Sequence, residues 1–321
     1  MKILVTGGAG YIGSHMVSLL EKSGHEVTVM DNLSNGHRDS IGETPFILGD
    51  IGDRSLLDQV MAENSFDAVM HFASYIQVGE SVTSPSKYYN NNVSKTLVLL
   101  DAMVNAGIKK FIFSSTAAIF GEPIYSPIDE SHPKSPVNPY GRTKLFVEQV
   151  LEDYRQAYGL KSVSLRYFNA AGADPDGKNG ERHHPATHLI PLVLKAASGE
   201  RDSITVYGKD YETPDGTCIR DYIHVVDLCE AHLLSLIHLS SGGDSAAYNL
   251  GNGQGFSVLE VIAAAEKVTQ KEIRVKNGTR REGDPPRLVA DSRMIKQELG
   301  WTPHYPEIET IIKHAWNFEK K

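Results

Sequence analysis

Thr6-Gly7-Gly8-Ala9-Gly10-Tyr11-Ile12-Gly13 is the stretch on which the reading of this chain turns. It follows a short β-branched run, Ile3–Val5, and opens an amphipathic one, Ser14–Lys22, so the glycines sit where a strand turns into a helix. Spaced as GxxGxxG, they divide the work: Gly7 permits the tight turn, Gly10 lets a pyrophosphate approach the backbone, and Gly13 allows close helix–strand packing. An anion held there rests on the unpaired N–H groups of a helix N-terminus. Asp31 ends the next strand-length run, where a carboxylate hydrogen-bonds a ribose diol. That carboxylate repels a 2′-phosphate, which favours NAD over NADP. Asp50-Ile51, after the third run, is placed to meet the adenine.

Working outward, the runs Glu26–Met30, Phe46–Leu48, Ala68–Phe72, Lys110–Ser114 and Ser162–Arg166 alternate with helix-period segments Ser55–Glu63, Asn92–Ala106 and Gly141–Tyr158. This alternation predicts an α/β fold, a doubly wound parallel sheet of Rossmann type covered on both faces. After Arg166 the texture changes: residues 167–187 read as loop, Leu189–Ala197 as helix, Ser203–Tyr207 as strand, and residues 278–287 as loop again. The expected division is a dinucleotide-binding domain over 1–168, with parts of 224–252 interleaved, and a smaller α/β substrate-binding lobe over 169–321. Apolar residues cover more than one side of two helices, including Val98 and Leu99 on one and Leu145 and Phe146 on the other; the surplus suggests a homodimer.

Composition sets outer bounds. With 321 residues, 40% hydrophobic and 22% charged, the chain has the balance of a globular protein of about two domains. Its net charge of −8 argues against nucleic acid or an anionic membrane as bulk partner. Only Cys218 and Cys229 are present, which suits a reducing, cytoplasmic compartment. The apolar start, Met1–Val5, is broken at once by Thr6-Gly7-Gly8, so neither a signal peptide nor a membrane span is expected.

Tyr140-Gly141-Arg142-Thr143-Lys144 places a phenol and an ammonium at i and i+4 on one helix face. A tyrosine with pKa near 10 is a poor base. An ammonium about 5 Å away, at an effective dielectric of about 20, favours tyrosinate by roughly 3 kcal/mol. Burial opposes that shift. A tyrosine so tuned can take a proton from a sugar hydroxyl as hydride leaves the same carbon. Thr116, ending the strand with Ser114-Ser115, supplies a hydroxyl to the same substrate oxygen.

With these motifs in place the chain resembles the extended short-chain dehydrogenase/reductases, and within them the NAD-dependent sugar epimerases acting on UDP-hexoses. The resemblance covers nearly the whole chain through TGGAGYIGSH (6–15), DNLSN (31–35), GDI (49–51), HFAS (71–74) with VGES (78–81), SSTAAIFG (114–121), PYGRTK (139–144), RYFNAAGADP (166–175), IRDYIHVVDL (219–228), YNLG (248–251) and RREGD (280–284). It implies an isomerase that carries NAD through a 4-keto intermediate in galactose metabolism, with Tyr140 as acid/base, Lys144 on the nicotinamide ribose and Thr116 relaying the proton. It further implies a cofactor pocket of Gly7, Gly10, Tyr11, Ile12, Gly13, Asp31, Asn32, Asn35, Asp50, Ile51, Phe72, Ala73, Ser74, Asn91 and Phe168, together with Tyr140 and Lys144. Thr116, Asn169, Leu189 and Tyr207 would contact the nucleotide sugar, Arg220 and Arg281 its diphosphate, and Asp284 the uridine ribose. Two guanidiniums suit that task, since each pairs phosphate oxygens bidentately.

The pattern is not followed everywhere. Ser74 and Ile76 stand where the family often has Gly and Lys, and His188 where it often has an asparagine that meets substrate. Leu288 falls at the position that gates bulk at C2, which leaves UDP-N-acetylhexosamines open as further substrates. A 4,6-dehydratase of the same fold needs carboxylates just after Thr116, and Ala117-Ala118-Ile119 offers none. A reductase using NADPH is disfavoured by Asp31, and a non-catalytic dinucleotide-binding scaffold by the presence of both Tyr140 and Lys144. His183, His184 and His188 lie in a Pro- and Gly-containing stretch and are expected to form a solvated loop cluster without a metal.

Overall fold

The computed structural model describes residues 1–281 and 284–320; Glu282 and Gly283 of the RREGD motif, and Lys321, lie outside the described residues. Thirteen strands occur among the described residues: β1 (Lys2–Thr6), β2 (Glu26–Asp31), β3 (Phe46–Leu48), β4 (Ala68–His71), β5 (Lys110–Thr116), β6 (Lys161–Tyr167), β7 (Asn169–Ala171), β8 (Ile204–Tyr207), β9 (Ile219–His224), β10 (Ala246–Leu250), β11 (Gly255–Ser257), β12 (Val275–Gly278) and β13 (Arg287–Leu288). Seven form one parallel sheet in the order β10-β6-β5-β4-β1-β2-β3. The fold is α/β and doubly wound, with smaller sheets in the C-terminal half.

The side-chain alternation of a strand explains why β1 reads as an unbroken apolar run. Ile3 and Val5 point to one face, into a core shared with Met16 and Leu20 of the helix Tyr11–Lys22 and with Leu228 and Leu236 of the helix Val225–Ser240. Leu4 points to the other face, against Met30, Phe111, Leu57, Leu99 and Met103. A sheet covered on both sides needs apolar residues at every position. Chain order reverses between β1 and β4, and ligands of such sheets bind outside the carboxyl ends of the strands at that switch. The glycine loop, the turn after β4 and the end of β5 all emerge there.

β10 reaches the large sheet only after the chain has left it, pairing with β6 as Tyr248 beside Leu165. The smaller sheet centres on β9: β11 is antiparallel to it, β13 lies beside Ile219-Arg220, and β7 lies beside Tyr222–His224. Its core includes Val193, Val206, Val261 and Ile312. β8 and β12 make a separate pair.

Local composition misjudges this half in three places. Residues 169–171, read as loop, form β7 because β9 offers a parallel edge, and the Asn169 side chain bonds to the Asp221 carbonyl at 2.8 Å. β9 itself, with Arg220 and Asp221 inside it, has no apolar alternation to announce it. β12 runs Val275–Gly278 and so ends on the first residue of the stretch 278–287 read as loop, because pairing with β8 sets its limits. No helix among the described residues is long and apolar enough to cross a membrane.

The glycine loop folds tightly on itself at Gly13, where an added Cβ would lie 2.2 Å from the Gly7 carbonyl oxygen and 2.8 Å from Gly8 Cα. Gly13→Ala should therefore cost about 1–3 kcal/mol, the usual penalty for overpacking. Gly79→Ala, in the helix Val78–Thr83 with open space around it, should be neutral or stabilising. Urea unfolding of the two variants checks the contrast.

Candidate active site

The helix Pro139–Tyr158 starts sharply. The Asn138 side chain caps it by accepting the Gly141 N–H at 2.8 Å, and Pro139 occupies its first turn. A Cβ at Gly141 would fall 2.4 Å from the Ala118 carbonyl oxygen, so the helix start lies directly on the segment following β5. This contact brings Tyr140 to Thr116, whose hydroxyl hydrogen-bonds the phenol. One turn along, Lys144 Nζ donates to the Ser114 carbonyl at 2.8 Å and to Ser74 Oγ at 2.9 Å, above the Phe113 ring. Tyr140, Lys144, Thr116 and Ser74 are thus one cluster at the carboxyl ends of β4 and β5.

Burial dominates the electrostatics of this cluster, contrary to the expectation that Lys144 would pull the phenol down. Burial pushes Tyr140 up to about 12, against the Thr116 hydrogen bond, which acts to lower it. Burial also pushes Lys144 down to about 7, against the pull of Glu148. The correction is physical: a simple Coulomb sum assumes an ammonium already charged, whereas both groups here are removed from water and both favour their neutral forms.

The dinucleotide crevice opens beside this cluster. The helix after the loop has Gly10 at its N-cap and no capping side chain, leaving N–H groups free for an anion. A Cβ at Gly7 would meet the Ala73 nitrogen at 2.5 Å, so the loop is pressed against the Phe72-Ala73 backbone. Asp31 is buried at the end of β2 and accepts from Ala9 N at 3.0 Å and Leu33 N at 2.8 Å. Asn32 donates to Asp50, which also pairs with Lys95 at 2.6 Å. Asn35, Gly10, Tyr11, His37, Arg182 and His183 line a crevice at the glycine loop. Uncapped N–H groups at a glycine-narrowed turn, followed by a ribose-type carboxylate, fit an NAD.

Other expected pocket residues are held by the two cores and by neighbouring groups. The Ile51 side chain packs in the core on one face of the large sheet and Ile12 against the core on the other. Tyr11 donates its hydroxyl to the Gly172 carbonyl at 2.7 Å. Asn91, half-buried, leans on Asn92, which clamps Tyr75 through both its N–H and its carbonyl. Phe168 joins Leu288, Ala117, Ile119 and Phe120 in a small apolar cluster.

The anion-binding expectation finds a compact arrangement in the second lobe. Asp284 bridges both arginines, 3.3 Å from Arg220 and 2.9 Å from Arg281, while Arg281 stacks over the Tyr207 ring. Arg220 is also held by the Pro285 carbonyl at 2.9 Å. Leu288 lies beside Arg220 in register. Leu189 opens the helix Leu189–Ser198 and packs on the second-lobe core, away from the large sheet.

This constellation has well-characterised counterparts. The model of the NAD dependent epimerase/dehydratase family matches residues 3–251. The chain belongs to that family. The UDP-glucose 4-epimerase of Halalkalibacterium halodurans is 52% identical over 321 residues, covering 100% of this chain and 96% of that protein. A crystal structure of UDP-glucose 4-epimerase from Brucella ovis in complex with NAD superposes with a TM-score of 0.97 at 49% identity, covering 99% of this chain and 98% of that one. The Bifidobacterium longum UDP-glucose 4-epimerase, in complex with NAD+ and UDP, gives 0.94 at 41% identity over 100% and 98% of the two chains.

Several supporting groups in this family member escape sequence reasoning. Glu148 and Arg166 form a buried ion pair at 2.7 Å, and Glu148 also accepts from Ser115 at 2.6 Å. Glu148 stands four residues beyond Lys144 on the same helix face, so spacing alone could have flagged it. Nothing local marks Asn92 or the Ser114 carbonyl. Of the histidine stretch, expected to be solvated, His184 is exposed, whereas His183 and the half-exposed His188 converge on the buried carboxylate of Glu181.

A lysine whose folded pKa is about 7 binds fewer protons than it does unfolded, where it titrates near 10.4. Cofactor-free enzyme should therefore gain stability as pH rises from about 7 to about 10. Lys144→Met should remove that part of the slope, so the difference in unfolding free energy between wild type and variant, measured across this range, checks the burial of the amine.

Proposed function

We infer that this enzyme interconverts UDP-galactose and UDP-glucose by inverting C4, keeping NAD bound through each turnover. The observation that carries this is the buried Tyr140–Thr116–Lys144 cluster at the switch point, facing a crevice built for a dinucleotide and backed by a paired-arginine cluster fit for a second diphosphate. When bound, NAD accepts hydride from the sugar carbon and returns it. Tyr140 takes the proton of the sugar hydroxyl and gives it back, and Thr116, already hydrogen-bonded to the phenol, keeps that oxygen oriented. Lys144, anchored by Ser114 and Ser74, holds a positive charge beside the phenol once its amine is protonated.

Arg220 and Arg281 would grip the UDP diphosphate, Tyr207 and Asn169 the rest of the nucleotide sugar, and Asp284 the ribose. In the free protein Asp284 satisfies both arginines, so diphosphate binding exchanges one anionic partner for another without baring a guanidinium. Dehydration chemistry is disfavoured by the surroundings of Thr116: Ala117, Ile119 and Phe120 are buried among apolar groups, with no carboxylate among them to remove a second proton.

The same proposal includes a first domain over 1–168 completed by β10, supported by its pairing with β6, and a nucleotide-sugar lobe over the rest. It also includes a homodimer, supported by the exposed Phe146 (49%) on the Tyr140 helix and the exposed Val82 (61%) and Tyr89 (38%) on helices packed against it. Work in the cytoplasm agrees with two buried, unpaired cysteines. Turnover of UDP-N-acetylhexosamines is admitted by Leu288, smaller than an aromatic residue.

Purified enzyme given UDP-galactose, with no reductant added, should yield UDP-glucose, and inertness toward both sugars would sink the reading. Tyr140→Phe should lower kcat at least about 10²-fold with NAD still retained, as for loss of a positioned acid/base. Leu288→Tyr should cut turnover of UDP-N-acetylglucosamine relative to UDP-glucose about tenfold or more, the scale of a pocket-size effect. An unchanged ratio would show that this side chain gates nothing.

A further inference from the structure

The segment between β7 and the helix Leu189–Ser198 carries a cluster to which the proton and hydride transfers assign no part, although one member, His188, stands where the family often has a substrate-contacting asparagine. Glu181 Oε1 lies 3.0 Å from His183 Nδ1 and 2.6 Å from His188 Nδ1, and the three donor atoms all fall within 4.8 Å of one another. Both imidazoles aim the same ring nitrogen at the same carboxylate oxygen. One carboxylate oxygen can accept from both rings, and the same convergence gathers three metal-ligating atoms at one point.

The chemistry of the donors is selective. Two imidazoles and one carboxylate form a set suited to a divalent transition metal, above all zinc, and unsuited to magnesium or calcium, which prefer all-oxygen shells. Tetrahedral zinc with bonds of about 2.0–2.2 Å keeps its ligand atoms about 3.3 Å apart, within reach of these side chains by small rotations. The carboxylate is 7% exposed, which shields the point of convergence, while His188 at 42% leaves an approach for an ion and a fourth, water ligand.

The position in the fold suggests what such an ion does. Arg182, between the ligands, pairs with Asp39 at 2.8 Å, and Asn179 donates to the Ser40 carbonyl at 3.0 Å. The His183 ring packs edge-on to Tyr11, the residue that follows Gly10. The segment is thus latched across the mouth of the glycine-loop crevice.

We propose that Glu181, His183 and His188 bind one divalent transition-metal ion, zinc being the best match, and that the ion pins this segment over the dinucleotide crevice. The ion is structural and takes no part in hydride or proton transfer. Calorimetry and the Co2+ spectrum read the ion directly, so metal binding can be judged independently of activity.

The test uses full-length enzyme treated with chelator and then titrated with Zn2+ alone by calorimetry, and with Co2+ as a visible-absorption probe. One ion per chain is expected, with a tetrahedral Co2+ spectrum. Glu181→Gln, nearly isosteric, and His183→Asn should each weaken binding at least about 100-fold, beyond the loss seen when only an outer partner of a ligand is removed. Circular dichroism of each variant confirms that it folds. No saturable binding by the wild type, or equal binding by both folded variants, overturns the proposal. So does zinc that is lost instead on changing His314, whose ring nitrogen lies 3.0 Å from His224 in a separate histidine pair.

Discussion

A lysine amine held away from water at the carboxyl end of β5 governs the site. Lys144 is 2% exposed and finds its partners in a backbone carbonyl and one hydroxyl, neither of which carries charge. The nearest carboxylate, Glu148, is occupied by Arg166 and Ser115, so it biases the amine without neutralising it. With the phenol pushed up and the amine pushed down, burial favours the neutral form of each in the free protein. The apolar setting that makes the ion pair costly at rest is also what makes a nearby charge effective when it arrives.

The parts of this arrangement set by repeating local rules were legible in the chain. Alternation of β-branched runs with helical segments defined six strands of the large sheet, and the glycine spacing placed the crevice at the end of β1. The i, i+4 rule put Tyr140 and Lys144 on one face. What could not be read were consequences of packing. The fate of the Tyr140 proton depends on how much water reaches it, and no spacing rule reports burial. Ser74 reads in the sequence as a cofactor-pocket residue and a departure from the family pattern, whereas its hydroxyl's grip on the lysine follows only from packing. Glu181 gave no warning at all, since a carboxylate in a polar stretch reads as a solvated charge until two histidines are folded onto it.

The second lobe shows why the pieces act together although they arise from distant segments. Leu288 pairs beside Arg220 in the strand register and packs with Ala117 and Phe168, which adjoin Thr116 and Asn169 in sequence. Ile128, following β5, accepts from Asp291 N at 2.9 Å and donates to the Val289 carbonyl at 2.8 Å. Buried Asp221 accepts from the backbones of Asn252, Gly253 and Ala290 and so gathers two distant segments around β9. The distance between the arginine cluster and the phenol is therefore set by strand pairing and a buried carboxylate rather than by a hinge. On the proposed reading, a sugar nucleotide held by its diphosphate at one end would meet Tyr140 at a fixed reach.

Fixed reach alone does not make a reaction with no net redox change run repeatedly; the cofactor must also stay. Release of a reduced dinucleotide after the first half-reaction would leave a ketone behind and an enzyme unable to finish. Retention is a matter of how many independent contacts must open at once. Here the crevice is closed on one side by a glycine loop too tight to widen without moving β4, since Gly7 already abuts Ala73. On the other side lies the segment latched through Arg182, Asn179 and the Gly172 carbonyl that receives the Tyr11 hydroxyl. Those latches tie residues 172–182 to the Tyr11 and Asp39–Ser40 side of the crevice, so on the proposed reading letting the dinucleotide go would require several separate contacts to open together.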